Sequence, residues 1–369
     1  MNILLTGAAG FIGSTLAQKL LTQSFSSQLS TFNCQLKAFI RYTSRADIGL
    51  LSSLPREILD RIDIIFGDLR DPSAILEAAQ GCDLIYHLGA LISIPYSYLH
   101  PVETVQSNIL GTLNILEAAR QLGIPVVHTS TSEVYGTALR VPIDENHPLQ
   151  GQSPYSASKI GADKLVESYN KSFNVPTITV RPFNTYGPGQ SARAVIPTII
   201  TQALTQDHLN LGSLDTKRDF TYIDDTVSGF LLAGEALLQA VQNPQSSILN
   251  PQSSTLNPKS SILNPHQPSA ISHQLIGQEI NLGTGQEITI GEITAIILKI
   301  LKKPDLKILQ DPERIRPEKS EVLRLLSDNR KAREVLNWSP TIDLEQGLTR
   351  TIAWISDHLD RYRVGIYER

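Results

Sequence analysis

Tyr155 and Lys159 stand four residues apart in the run Tyr155-Ser156-Ala157-Ser158-Lys159. On a helix that spacing puts both side chains on one face. A lysine charge beside a phenol lowers its pKa and makes the tyrosine a usable base near neutral pH. Glu133 lies 22 residues before Tyr155, at the end of Thr129-Ser130-Thr131-Ser132-Glu133. Thr131 and Ser132 offer hydroxyls, and Glu133 offers a carboxylate that could take a proton. A lone glutamate after a strand is usually a solvated loop acid. What sets Glu133 apart is its place between the apolar run Pro125-Val126-Val127 and Tyr155.

A second cluster is Gly7-Ala8-Ala9-Gly10-Phe11-Ile12-Gly13. Glycines let a backbone approach a pyrophosphate, and the start of a helix attracts its charge. Alone, such a pattern marks only a tight turn. Here an apolar strand precedes it and a helical pattern follows, the context that nucleotide binding requires.

Those clusters need a scaffold. Short apolar runs alternate with amphipathic helical patterns along the first half, which reads as βαβ units. Strands are expected at Asn2–Thr6, Lys37–Arg41, Asp63–Phe66, Leu84–His87, Val126–Thr129 and Thr177–Arg181. Helices are expected at Asn108–Leu122, Ser156–Phe173 and Leu344–Asp360. The class is therefore α/β, a Rossmann-type doubly wound parallel sheet with a smaller C-terminal α/β domain. Residues 1–184 should form mainly the nucleotide-binding domain and 185–369 mainly a discontinuous substrate domain. Two stretches read as insertions. Thr22–Gln35 is rich in Ser, Thr and Gln. Residues 243–273 repeat the unit Asn243-Pro244-Gln245-Ser246-Ser247-Ile248-Leu249. A proline in every unit forbids a continuous helix, so this is expected to be a disordered surface loop.

Composition narrows the partners. The net charge is −4, without blocks of like charge, which argues against nucleic acid or an anionic membrane. The chain shows no targeting segment or membrane span, and a cytoplasmic location is expected. Cys34 and Cys82 have no metal or redox spacing, and no zinc or other metal motif appears.

Taken together, the Gly-x-x-Gly-x-x-Gly loop and the Tyr155/Lys159 pair resemble the extended short-chain dehydrogenase/reductase family, in its NAD(P)-dependent epimerase/dehydratase branch. The resemblance implies that Gly7, Gly10, Phe11, Ile12 and Gly13 hold a dinucleotide. It implies the same for Asp68 and Leu69, in Gly67-Asp68-Leu69-Arg70-Asp71, with Asp68 facing the adenine. Leu88 and Ala90, in His87-Leu88-Gly89-Ala90, would lie beneath the nicotinamide ribose, and Asn108 would shape the active site. The second strand ends at Arg41 where an acid normally binds a ribose hydroxyl. That favours NADP over NAD, because an arginine can pair with a 2′-phosphate. Tyr155 and Lys159 would touch cofactor as well as substrate. Asn184, Arg193, Arg218 and Arg316 match positions on the sugar-diphosphate side.

Glu133 separates two chemistries within that branch. Sugar 4-epimerases usually carry a small or apolar residue there, whereas nucleotide-sugar 4,6-dehydratases carry a glutamate that removes the C5 proton. Thr131-Ser132-Glu133 resembles GDP-mannose 4,6-dehydratases. Nearby wording, including Arg41-Tyr42-Thr43-Ser44, resembles dehydratases of bacterial surface-sugar pathways, some acting on GDP-N-acetylglucosamine. The implied enzyme is a nucleotide-sugar 4,6-dehydratase with a tightly held, recycled cofactor, acting as a homodimer. The rivals are a 4-epimerase, a 4-keto-sugar reductase and a cofactor-binding regulatory protein.

Overall fold

Seven apolar runs pair side by side and all parallel into one sheet. They are β1 (Asn2–Thr6), β2 (Gln35–Arg41), β3 (Ile62–Gly67), β4 (Leu84–His87), β5 (Val126–Thr129), β6 (Thr177–Pro182) and β7 (Gln278–Leu282). The order across the sheet is β7-β6-β5-β4-β1-β2-β3. The computed structural model describes residues 1–22, 34–242 and 275–363. The repeat expected to be a surface loop at 243–273, and most of the Thr22–Gln35 stretch, lie outside the described residues.

Covered on both faces, a parallel sheet is built from near-continuous apolar strands. Accordingly Ile3, Leu4, Leu5, Leu84, Ile85 and Tyr86 are all completely buried. The helices α1 (Phe11–Thr22), α2 (Pro72–Ala79), α3 (Gly111–Leu122), α4 (Pro154–Phe173) and α5 (Ile223–Gln242) include those that cover it. Their ends follow local chemistry. Ser153 caps α4 in a reciprocal box with Ser156, Pro154 opens the first turn, and Asn174 closes the helix in the left-handed region. Gly123 closes α3 at φ 70°, where glycine carries no side-chain penalty.

Six strands fall where the sequence places them. The seventh, β7, was not anticipated: it joins β6 from far along the chain. The long helix α5 also packs on the sheet side, so the C-terminal half contributes to the seven-stranded layer as well as to its own small sheets. The helix expected at Asn108–Leu122 begins with a wide turn, Gln106–Leu110, and runs regularly over Gly111–Leu122. The last helix stops at Asp357, followed by a short tight turn at Leu359–Arg361.

The strand order reverses between β1 and β4. There the connections leave in opposite directions and open a crevice at the carboxyl ends of the strands. Both sequence clusters arrive at that crevice.

Candidate active site

A cavity of about 720 Å³ opens along the carboxyl ends of the sheet. Its lining brings together Gly7, Gly10, Phe11, Ile12, Gly13, Arg41, Asp68, Leu69, Leu88 and Ala90 at one end. Thr131, Ser132, Glu133, Tyr155, Asn184, Arg193 and Arg316 line the rest. Three expected site residues sit behind the lining. Lys159 is buried under the floor and Arg218 in the far wall. Asn108 is buried in the wide turn before α3, where its amide bonds Leu91 N and O and Ser158 Oγ. It ties the wall segment at Leu91 to α4 rather than facing the cavity.

The glycine loop is shaped by contact. Gly7 sits at φ +73°, and a Cβ there would lie 2.7 Å from Gly89 N. A Cβ on Gly13 would lie 2.1 Å from Gly7 O. The start of α1 is thus drawn tightly onto the end of β1, leaving a cradle of bare backbone open to the cavity. That geometry fits a dinucleotide pyrophosphate. The neighbouring loop is held by His87, whose Nδ1 lies 2.8 Å from Thr6 Oγ1 and Nε2 3.0 Å from Thr112 Oγ1. Thr112 donates to Asn108 O and Gly89 N donates to Thr6 Oγ1. Those commitments leave Nε2 as the protonated nitrogen, and burial pushes the ring well below its ordinary pKa, so His87 is neutral.

At the dinucleotide end, Asp68 receives both arms of Arg70, at 2.9 and 2.6 Å. Arg41 is exposed and pairs with Glu103 at 3.1 Å, while Tyr96 donates to the other oxygen of Glu103.

At the other end, the expectation that Lys159 depresses the Tyr155 pKa needs correction. Burial dominates and pushes the phenol upward; a hydrogen bond with Thr131 draws it back, and the Glu133 charge raises it again. Lys159 donates from Nζ to Thr129 O at 2.6 Å, and burial lowers its pKa to about 8. Glu133 is the second residue of a short tight turn, Ser132–Tyr135, capped by Thr131, whose hydroxyl accepts from Glu133 N. The Glu133 carboxylate lies 3.9 Å from Arg316 Nη1, which is also 3.9 Å from Glu321. Glu321 in turn lies 3.5 Å from Arg218 Nη2. Arg316 Nη1 and Asn184 Oδ1 are buried without a hydrogen-bond partner. Unmet polar atoms facing a cavity suit a polar ligand.

The family model described as GDP-mannose 4,6 dehydratase matches residues 4–247. The UDP-glucose 4-epimerase of Mycolicibacterium smegmatis is 30% identical over 95% of this chain and 97% of its own. The chain belongs to the extended short-chain dehydrogenase/reductase family, in its NAD-dependent epimerase/dehydratase branch. Members of the branch are sugar-nucleotide enzymes, and this chain is an enzyme of that kind. Solved structures agree on the fold. The dTDP-glucose 4,6-dehydratase of Streptomyces venezuelae, solved with NAD, superimposes with TM-score 0.77 at 25% identity, covering 98% and 99% of the two chains. The UDP-glucuronic acid 4-epimerase of Bacillus cereus, solved with UDP-glucuronic acid and NAD, gives TM-score 0.75 at 27% identity over 97% and 100%.

Two groups escaped the sequence reading. Glu321, between Arg218 and Arg316, lies in a stretch with no distinctive spacing. Asp163 lies beneath Lys159, and its signal was available: it follows Lys159 by four residues on the same helix. Among the described residues no helix is long and apolar enough to cross a membrane, and no cluster of three His, Cys, Asp or Glu could hold a metal.

Proposed function

We propose that this enzyme is a nucleotide-sugar 4,6-dehydratase that produces a 4-keto-6-deoxy sugar nucleotide. The observation that carries this reading is Glu133: its carboxylate lines the same cavity as Thr131 and Tyr155 and faces Arg316. An epimerase needs no acid there.

Bound nicotinamide would supply the acceptor, and later the donor, of a hydride. Gly7, Gly10 and Gly13 would hold the pyrophosphate on bare backbone, with Phe11, Ile12, Leu69, Leu88 and Ala90 completing the cradle. The Thr131 hydrogen bond stabilises Tyr155 as the phenolate, which accepts the proton of the sugar C4 hydroxyl and becomes the neutral phenol. Lys159, beneath Tyr155, supplies the fixed positive charge. Once C4 is a ketone, the adjacent C5 proton becomes acidic, and Glu133 removes it. Serine is too weak an acid to protonate the departing C6 hydroxyl, so Glu133 delivers the proton and water leaves. Arg316, on the lining, binds the sugar diphosphate, because a guanidinium matches phosphate oxygens in pairs, and Arg218, buried in the wall behind it, adds its positive charge to that side. Asn184 and Arg193 complete that side.

Arg41, at the end of β2 and on the cavity wall, favours NADP by offering a cation to a 2′-phosphate. NAD is the alternative, since solved neighbours carry it. A homodimer is favoured by Leu99, Val102, Val105 and Leu110, which leave an apolar stripe exposed beside α4.

The second reading is a nucleotide-sugar 4-epimerase, favoured by the full-length likeness to such enzymes. Incubation with GDP- and UDP-linked hexoses and N-acetylhexosamines, with NADP or NAD, separates the two by mass spectrometry. A product lighter by one water supports dehydration. Glu133→Gln is then expected to lose roughly 100-fold or more in rate while reduced nicotinamide still forms. An isomer of unchanged mass would mean that the chain is an epimerase.

A further inference from the structure

Beneath the cavity floor lies a carboxylate that the proposed chemistry does not use. Asp163 is one turn beyond Lys159 on α4; Lys159 reaches Thr129 O at the end of β5, and Asp163 reaches Ser130 just past it and Arg181 on β6. A buried carboxylate is costly unless its oxygens are satisfied. Asp163 Oδ2 accepts from Ser130 Oγ at 2.8 Å and from Arg181 Nη2 and Nε at 3.0 and 3.2 Å. Oδ1 lies 3.3 Å from His128 Nε2. Burial alone would raise the carboxyl pKa; the His128 hydrogen bond and the charges of Arg181 and Lys159 outweigh it and hold it at about 2.

The placement of Ser130 makes this more than a counter-ion for Arg181. Ser130 is the middle residue of three. On one side Thr129 O receives the Lys159 ammonium at 2.6 Å. On the other, Thr131 hydrogen-bonds Tyr155 and caps the turn that carries Glu133. A single buried carboxylate therefore holds the residue whose two neighbours orient the proposed acid–base pair.

We propose that Asp163 is a positioning residue: by gripping Ser130 it sets Thr129 against Lys159 and Thr131 against Tyr155, and it supplies the negative charge opposite the Lys159 ammonium. The inference rests on reading Tyr155 and Lys159 as the acid–base pair.

The charges around Lys159 support the second part. His128 is pushed down to about 4, by burial first and the Lys159 charge second, so its ring is neutral; His87 is neutral for similar reasons. Burial pushes both Tyr135 and Tyr155 up and so disfavours a resident anion at either. Arg181 remains a cation, with Glu279 at 3.8 Å on its other side. Against burial, which lowers the Lys159 pKa, the Asp163 charge is what raises it.

The test is the pH dependence of reduced-nicotinamide formation in the full chain, mixed rapidly with nucleotide sugar and cofactor. The alkaline limb of wild type should fall near the Lys159 value of about 8. In Asp163→Asn the limb should move down by roughly one pH unit, because an opposite charge at close range is lost. At the wild-type midpoint that is a loss of roughly fivefold in rate. Asp163→Asn leaves Arg181 buried without its acid and can fail to fold. The pair Asp163→Asn/Arg181→Met removes both charges and should shift the limb in the same direction. Titration of the Lys159 ε-carbon in carbon-13-lysine protein reads the same shift without turnover. Lower stability with an unmoved limb and an unmoved Lys159 titration would make Asp163 a structural counter-ion and overturn the proposal. Hydride abstraction is common to dehydratase and epimerase, so failure of the dehydration assay leaves this test intact. No reduced nicotinamide from wild type with any substrate would overturn the acid–base reading, and this inference with it.

Discussion

Gly13→Ala is the sharpest test of how the nucleotide cradle is built. The added Cβ would fall 2.1 Å from Gly7 O, 2.8 Å from Gly7 C and 2.9 Å from Ala8 Cα. All three are backbone atoms, so no change of rotamer relieves the overlap. Gly7 cannot retreat, because it is already backed against Gly89 N and Leu88 C. Helix α1 must therefore move off β1 by about 1 Å, the order of displacement that overpacking forces in a close-packed interior. Leu16, Ala17 and Leu20 on α1 are essentially fully buried and would lose packing in the move. The expected cost to folding is about 1–3 kcal/mol. The N–H groups at the helix start retreat with it, and dinucleotide affinity should fall at least about tenfold, or ~1.4 kcal/mol. Gly10→Ala is the internal control. Its Cβ would meet only Gly7 O, at 3.2 Å, and a small local adjustment suffices. Urea midpoints and fluorescence titrations with NADPH and NADH on the three proteins measure both quantities. Wild-type stability and affinity in Gly13→Ala, or a worse result for Gly10→Ala, would refute this account of the loop.

Two further predictions concern pH. Burial lowers the Lys159 pKa to about 8 in the fold, from 10.5 for the free side chain. Between those values the unfolded chain holds a proton that the fold does not, so this group adds stability as pH rises. Below pH 8 it costs a constant amount, about 3 kcal/mol. Lys159→Met should therefore abolish turnover yet remain at least as stable as wild type at pH 7; a clear drop in its urea midpoint would contradict the buried-charge reading. Burial lowers the His128 pKa to about 4 in the fold, from 6.5 for the free side chain, so the unfolded chain takes its proton first as pH falls. Stability present above pH 6.5 should be lost progressively toward pH 4, by up to about 3 kcal/mol from this residue. His128→Gln should flatten that decline, and an unchanged slope would place the acid sensitivity elsewhere.

What sequence determined here was local. A β strand with one apolar run, a glycine turn and a helix start are each encoded within a few neighbouring residues, so β1–β6 and the Gly7–Gly13 loop were legible. The four-residue spacing of Tyr155 and Lys159 is fixed by helix geometry alone. What only the tertiary structure decided were quantities that depend on residues far apart in the chain. The edge strand β7 pairs with β6 residues 100 positions earlier in the chain, a partnership that its own short run does not announce. Arg316, Glu321 and Arg218 come together around Glu133 although none lies near it in sequence. The direction of the Tyr155 shift was misjudged for the same reason. Spacing places a lysine near a phenol, but only the tertiary packing shows that burial is the largest influence on that phenol and pushes it upward. Asp163 shows the division most clearly: helix periodicity puts it below Lys159, while its grip on Ser130, Arg181 and His128 exists only because two neighbouring strands end at the same depth beneath the cavity.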